Sequence, residues 1–207
     1  MEKQSYSNYD IIGREFGPGG GKCTFRVSFR RSDPNIPIQG YGFSILPPPG
    51  NDWIVATQSR EEVLFGNKKR SKPEHTFICG VFTRYIGDAT FDSVDELARV
   101  ATEKVSGKES GRFRNLEFEA QPTSVKGVGC MRIKAVAEER ENPLFPAGTV
   151  LLQTNVFLVC PHPQNSKLAV ITTQSERRPS GTPSILDDAL KQEVESILAT
   201  VVFTPFL

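Results

Sequence analysis

Hydrophobic and polar positions alternate along much of the chain, which predicts strands with one buried face. Between residues 23 and 30, Cys23, Phe25, Val27 and Phe29 alternate with polar residues. Similar short strands are predicted at 41–46, 53–57, 62–65, 116–120, 167–175 and 202–205, the last of them stopped by Pro205. The segment 76–86 is apolar at almost every position, which is typical of a central strand covered on both faces.

Two stretches carry helical spacing instead. Ser93 and Glu96 form a capping box at the start of a helix over 93–107, and Gly107 ends it. Ser184 is expected to cap a second helix, whose apolar stripe consists of Leu186, Ala189, Leu190, Val194, Ile197, Leu198 and Val201. The strands follow one another in antiparallel-type succession, so the predicted fold class is α+β, with a central, mostly antiparallel β-sheet packed by two helices.

The glycine-rich segment 17–22 separates a short amino-terminal part of the chain from a much longer remainder. Its composition predicts flexibility, so residues 1–21 are expected to form an N-terminal arm and residues 22–207 a single α+β domain. A phosphate-binding loop is excluded at this segment because Cys23 occupies the place of the Ser or Thr that must follow Lys22, and a strand pattern follows instead of a helix.

The stretch from Gly127 to Cys160 predicts a β-hairpin whose turn lies around Phe145. In an antiparallel hairpin the residue numbers of each directly opposed pair add up to the same value. With the turn centred on residue 145 that value is 290, so Cys130 falls opposite Cys160. Directly opposed Cα atoms lie about 4.5–5.5 Å apart, within the range for a disulfide. The same register places Cys130 on the face of Arg132 and Lys134, where the bridge is expected to be partly exposed.

The alternative is a pair of reduced thiols that face each other without bonding. A bridge would indicate an oxidising compartment, the periplasm or the cell surface. Cys23 and Cys79 could form a second bridge, although nothing in the sequence fixes their register. Cys79 is expected to be a small buried thiol; its rival role, a catalytic nucleophile, would need a nearby His and solvent access.

Composition excludes several classes of protein. The 25 basic and 24 acidic residues give a net charge of +1, so no nucleic-acid partner is predicted, and no apolar run is long enough to cross a membrane. The basic cluster at 67–73 is interpreted as a solvated hairpin turn.

The cysteines lack the short spacing of zinc ligands, and neither a metal nor a cofactor is predicted. The first residues are polar, which is not the pattern of a signal peptide.

A set of short motifs resembles those of uncharacterised bacterial cell-envelope lipoproteins. They are Gly42–Trp53 (GFSILPPPGNDW), Val63–Gly66, His75–Ile78, Gly129–Cys130, Ala137–Arg140, Leu158–Pro163 and Ser175–Arg177. The opening of this set, and the final helix followed by a strand, are also similar to the PsbP-like α/β/α sandwich. The resemblance implies a periplasmic or cell-surface protein, lipid-anchored in its native precursor, although this sequence holds neither a signal nor a lipidated cysteine.

Three functions remain open. The first is a non-enzymatic envelope protein that binds a protein partner or supports an assembly, as PsbP-like domains mostly do. The second is small-ligand binding in a groove between sheet and helix, near Trp53, His75 and Tyr85. The third, an enzyme, would rest on Glu138, Glu139, Arg140, Glu176 and Arg177, which are interpreted instead as an ion-pair cluster at strand ends. No catalytic residue is therefore assigned.

Overall fold

A computed structural model describes residues 10–16, 22–28, 33–72, 74–87, 113–140, 142 and 145–206; at 10–28, Phe113 and Asn115 it describes the backbone only. Twelve strands and one helix are present in these ranges. The strands are β1 (Asp10–Phe16), β2 (Lys22–Ser28), β3 (Ile38–Gln39), β4 (Phe43–Ile45), β5 (Trp53–Gln58), β6 (Glu62–Asn67), β7 (Thr76–Tyr85), β8 (Phe113–Val125), β9 (Val128–Glu139), β10 (Leu151–His162), β11 (Asn165–Pro179) and β12 (Val202–Phe203). The helix, α1, spans Asp188–Ala199.

Seven antiparallel strands form the main sheet in the order β5-β6-β7-β11-β10-β9-β8. A smaller sheet has the order β12-β4-β3, and β1 pairs with β2 as a separate hairpin. The apolar stripe of α1 packs on one face of the main sheet and buries Leu190, Val194 and Ile197. That core also contains Phe43, Ile45, Phe65, Phe77, Val81 and Val170. A second core cluster, centred on Met131 and Ile133, lies on the opposite face.

The predicted fold class is wrong. The described residues form a mainly β structure in which one helix packs on the sheet, and not an α+β sandwich with two helices. The helix predicted at 93–107 lies outside the described residues. The strands are also longer than their apolar patterns predicted, since β8 has 13 residues and β11 has 15. Polar residues join these strands because backbone pairing with a neighbouring strand does not require an apolar side chain. The division into an arm at 1–21 and a domain at 22–207 stays a prediction.

The second helix was predicted correctly, but its cap was not. Asp187 is the N-cap, and its side chain accepts a hydrogen bond from the Leu190 N–H at 2.8 Å. Ser184 lies before the helix, where its Oγ donates to Glu176 and accepts from the Leu186 N–H. Ser184 therefore does not cap the helix, because its hydroxyl is bound to the buried Glu176 carboxylate and to the Leu186 N–H.

The hairpin register is confirmed along the whole β9–β10 ladder. Leu151 pairs with Glu139, Phe157 with Ile133 and Val159 with Met131, which is the predicted constant sum. Cys130 and Cys160 continue the same register and form a disulfide with a Cα–Cα distance of 4.4 Å. The expected exposure of the bridge is wrong, since the two residues are only 1% and 5% exposed. The bridge lies on the sheet face on which α1 packs, since Cys160 is near the last turn of that helix.

One glycine is required by close packing between strands. A Cβ added to Gly80 of β7 would lie 2.1 Å from the carbonyl oxygen of Val63 on the neighbouring strand β6. The backbone of β6 could move away from such a contact only by losing its hydrogen bonds with β7. Gly80 thus allows β6 and β7 to approach each other in the middle of the sheet.

Replacing both Cys130 and Cys160 by Ser is expected to lower the free energy of unfolding by about 3–4 kcal/mol, because the bridge closes a loop with a sequence separation of 30. Urea denaturation measures this loss. A reductant should destabilise the wild-type chain by the same amount and leave the double variant unchanged. Two results together would contradict the bridge. The wild-type chain and the double variant would be equally stable without reductant, and Cys130 and Cys160 of the wild-type chain would both react with an alkylating agent after denaturation without reductant.

Candidate binding groove

A half-open groove of about 480 Å³ lies between the main sheet and the carboxyl-terminal end of α1. Its floor is formed by β8 to β11, and its roof by the last turn of α1 and the chain that follows. The lining residues are Thr123, Val125, Lys126, Arg132, Val156, Phe157, Leu158, Cys160, Val170, Thr172, Gln174, Glu195, Leu198, Ala199, Val201 and Phe203. Apolar side chains dominate this set, and only a few polar groups accompany them.

Strand alternation explains which side chains reach the floor. Val156, Leu158 and Cys160 are two residues apart on β10, so they point to the same face of the sheet. Their partners across the ladder are Gln174, Thr172 and Val170 of β11, which line the groove as well. The floor is therefore a regular array of cross-strand pairs. The disulfide forms one end of this floor, because Cys160 lines the groove and is bonded to Cys130.

The roof is held at the carboxyl end of α1. Leu198 and Val201 pack against the main core while they line the groove. The Thr200 hydroxyl accepts a hydrogen bond from the Leu46 N–H at 3.0 Å, and β12 pairs with β4 directly afterwards. The end of the helix and the next strand are thus fixed to the small sheet, which leaves the space above β9 and β10 open.

Three charged residues line the groove. Arg132 of β9 is exposed, and its register neighbours are Gln121 of β8 and Leu158 of β10. The Lys126 ammonium donates to the Val201 carbonyl at 3.3 Å. Glu195 belongs to the helix and is also exposed. The groove therefore combines apolar walls with two cations and one carboxylate.

The amino end of α1 is fixed by contacts with the β6–β7 turn, and its middle by a contact with β5. Arg70 in that turn forms an ion pair with Asp187 and also donates to the Ile185 carbonyl. The Trp53 indole N–H donates to Glu193 at 2.7 Å, and its ring packs edge-on against Phe77. The Arg70 guanidinium and then the Leu190 N–H lower the pKa of the Asp187 carboxyl, because both stabilise its charged form.

A buried carboxylate lies just before this helix. Glu176 is 3% exposed and accepts hydrogen bonds from the Ser184 hydroxyl at 2.7 Å and from the Ile185 N–H at 2.8 Å. The His75 ring nitrogen Nε2 lies 2.8 Å from the same carboxylate. Burying a carboxylate is costly unless hydrogen bonds satisfy it, and here they do. These contacts hold β7, β11 and the chain before α1 together.

The residues predicted for a ligand groove do not line this one. Trp53 is 7% exposed and belongs to the core, whereas His75 contacts Glu176. Tyr85 is 54% exposed at the end of β7. The structure does not bring the three into one site. Sequence reasoning missed Arg132 and Leu158 because nothing in the hairpin pattern shows that a helix end lies above them.

The five residues of the predicted ion-pair cluster do not form one group. Glu138 pairs with Arg140 at 2.6 Å, the buried Glu139 accepts a hydrogen bond from Asn142 at 2.9 Å, and Glu176 contacts His75. Arg177 follows Glu176 in β11 and therefore points to the opposite face, where its guanidinium lies over the Phe145 ring at 5.4 Å. In the basic cluster at 67–73, Lys69 pairs with Asp52 and Arg70 with Asp187.

Cys79 is a free, fully buried thiol, so it forms no bridge with Cys23. Burial, and then the nearby Glu193 carboxylate, raise the pKa of this thiol well above its ordinary value. It therefore stays protonated at neutral pH, which is unfavourable for a nucleophile. Within the described ranges no group of three or more His, Cys, Asp or Glu side chains is arranged to hold a metal ion. The helix that these ranges contain is too short and too polar to cross a bilayer.

No protein-family model matches the chain, and no curated protein does. Among solved structures, the chain is similar to cyanobacterial PsbP (CyanoP) from Synechocystis sp. PCC 6803, with 12% identity, a TM-score of 0.46, and coverage of 79% of this chain and 87% of that one. It is also similar to the Ran-binding protein Mog1p of Saccharomyces cerevisiae, with 13% identity, a TM-score of 0.46, and coverage of 82% and 95%.

The likeness expected to PsbP is thus present among solved structures, whereas neither family models nor curated proteins support membership of a bacterial lipoprotein family. At this level of similarity, neither structure determines the function of the chain.

Replacing Asp187 by Asn is expected to flatten the acid dependence of stability. A carboxyl whose pKa is lowered by folding stabilises the protein above its unfolded pKa, about 3.9, and this stabilisation is lost as the pH falls through the lower folded value. Asn retains the cap but not the charge. Melting temperatures between about pH 5 and pH 3 measure the difference.

The matched control is Asp188→Asn, because Asp188 lies in the first turn of the same helix and its side chain is 95% exposed. Its acid profile should follow that of the wild-type chain. Identical profiles for the Asp187 and Asp188 variants would show that the Arg70 contact contributes nothing to the pH dependence.

Proposed function

We propose that the protein is a non-enzymatic binding protein that holds a small apolar or amphipathic molecule in the groove between α1 and the sheet. The groove itself carries the proposal. Its volume of about 480 Å³ is comparable with that of known small-molecule sites, roughly 300–1,000 Å³, which are concave, mostly apolar and equipped with a few polar groups. Leu158 on the floor and Leu198 in the roof offer apolar contact from opposite sides.

The state of the reactive side chains favours binding over catalysis. Cys79 is buried and protonated, and the Glu176 carboxylate already accepts hydrogen bonds from Ser184 and Ile185 and contacts His75. A general base or nucleophile needs access to a substrate proton or carbon. Neither residue lines the groove, so neither offers its chemistry to a molecule bound there.

The disulfide supports an oxidising compartment, which we propose to be the periplasm or the cell surface. Its two cysteines are buried and lie in the register of a regular hairpin, so the bridge is part of the folded core. Attachment to the membrane through a lipid anchor, which the sequence resemblance implies, stays a prediction.

A second candidate function is the binding of an envelope protein at the β8 edge of the main sheet, where no further strand pairs among the described residues. The edge strand β8 exposes Leu116 and Phe118, which are 48% and 37% accessible. Edge strands pair readily with an added strand. Glu117 and Glu119 alternate with these residues, so the fitting partner is an extended segment in which basic and apolar residues alternate. A synthetic Lys/Val peptide should then bind, and an equivalent Glu/Val peptide should not.

Ligand binding in the groove predicts a regular dependence on chain length. Each methylene removed from water contributes about 0.8 kcal/mol, so the affinity for 1-alkanols should rise about fourfold per carbon until the groove is filled. Calorimetric titration from 1-octanol to 1-dodecanol measures the series. Equal affinities across the series, or no binding at all, would contradict the proposal.

Filling the groove should abolish this binding. Ala199→Trp places a large ring among the lining residues at the end of α1. Ser196→Trp is the matched control, because Ser196 is exposed on the same helix and does not line the groove. The Ala199 variant should lose alkanol binding and the Ser196 variant should retain it, with both melting as cooperatively as the wild-type chain. Equal binding by both variants would place the ligand elsewhere.

A further inference from the structure

We infer that the groove selects an anionic single-chain amphiphile, whose head group is bound by Arg132. This inference rests on the proposed function, since it requires a ligand in the groove. Arg132 is the guanidinium among the lining residues, and it projects from β9 at the border of the floor. It has neither an ion pair nor a hydrogen bond with another side chain in the described part of the chain.

The neighbouring cation shows the contrast. Lys134 lies two residues further along β9, on the same face, and its ammonium binds the Glu117 carboxylate at 2.8 Å. Lys134 does not line the groove. The two cations on this face of β9 therefore differ in their partners. Lys134, outside the groove, is paired with a carboxylate, whereas Arg132, at the groove, has no carboxylate partner among the described residues.

The surroundings of Arg132 fit a molecule with two unlike ends. On one side its register neighbour is the polar Gln121 of β8, and on the other it is Leu158 of β10. A head group at Arg132 would remain near water, because that side chain is exposed. A hydrocarbon tail would extend over Leu158 and Val170 under the roof residue Leu198. The anion then retains much of its hydration while the tail loses contact with water.

The charge balance of the groove favours the same ligand. Arg132 and Lys126 line it together with one carboxylate, Glu195. The Lys126 ammonium already donates to the Val201 carbonyl, which leaves further donors for an anion nearby. A guanidinium presents a planar fork that matches the two oxygens of a carboxylate or of a phosphate monoester. Both head groups share this chemistry, and both carry a charge at pH about 7.5.

The test compares four ligands of equal chain length on the full chain: decanoate, decyl phosphate, 1-decanol and decyltrimethylammonium. At low ionic strength decanoate is expected to bind about fivefold more tightly than 1-decanol, as expected for a favourable exposed charge pair. Added salt should reduce this ratio by screening the charges. Titration calorimetry gives the affinities, and tighter binding of decyl phosphate than of decanoate would assign the head group to a phosphate source.

Variants separate recognition of the charge from packing. Arg132→Gln should bring the decanoate-to-decanol ratio close to one, because it removes the guanidinium that binds the anionic head group. Lys134→Gln is the matched control, since it removes a cation from the same strand face outside the groove, and it should retain the wild-type ratio. Glu195→Gln should increase the ratio because it removes the carboxylate from the roof.

Each failure has a distinct meaning. Equal binding of decanoate and 1-decanol by the wild-type chain, with the chain-length series intact, would overturn this inference and leave the proposed function standing. Tighter binding of decyltrimethylammonium would also overturn it, and would assign the head group to Glu195. An equal loss of both ligands in Arg132→Gln would reduce Arg132 to a packing residue. No binding of any of the four would overturn the inference and the proposed function together.

Discussion

The register of β9 against β10 is the constraint on which the rest of the structure depends. Side chains alternate between the two faces of a strand, so a slip by one residue would exchange the faces of the whole strand. Met131 and Ile133 would then leave the second core cluster, and Arg132 would leave the groove. The disulfide forms only when Cys130 faces Cys160, which makes the chosen register covalent. One pairing thus fixes both faces of the sheet.

The position of the helix depends on polar contacts as much as on its apolar stripe. Leu190, Val194 and Ile197 bury one side of α1, but apolar contact alone does not determine where the helix begins. The buried Glu176 provides that position, because it binds the chain two residues before the cap in a site largely removed from water. Such a carboxylate tolerates little displacement, since each lost hydrogen bond would leave a buried charge less satisfied. Glu176 thus holds the amino end of α1, while the Thr200–Leu46 hydrogen bond holds its carboxyl end beside the groove.

Much of the strand pattern could be predicted from the sequence, and the reason is local. Alternation marks the apolar middle of each strand, and the hairpin register follows from the turn around Phe145, which places Cys130 opposite Cys160. The strand ends could not be predicted in this way. Residues 121–124 of β8 and 176–179 of β11 are polar or contain proline, and they are ordered by pairing with neighbouring strands.

The groove could not be predicted, because its residues come from segments far apart in the sequence. Arg132 carries no local signature, since an arginine on the polar face of a strand is ordinary; it is distinguished by the end of α1, about 65 residues later in the chain. The aromatic residues that attracted attention have other roles. The single tryptophan is one of them: Trp53 joins the sheet to the helix through Glu193 and Phe77. Its indole emission should therefore change when α1 leaves the sheet, so the chain contains an intrinsic fluorophore that reports helix docking without any label.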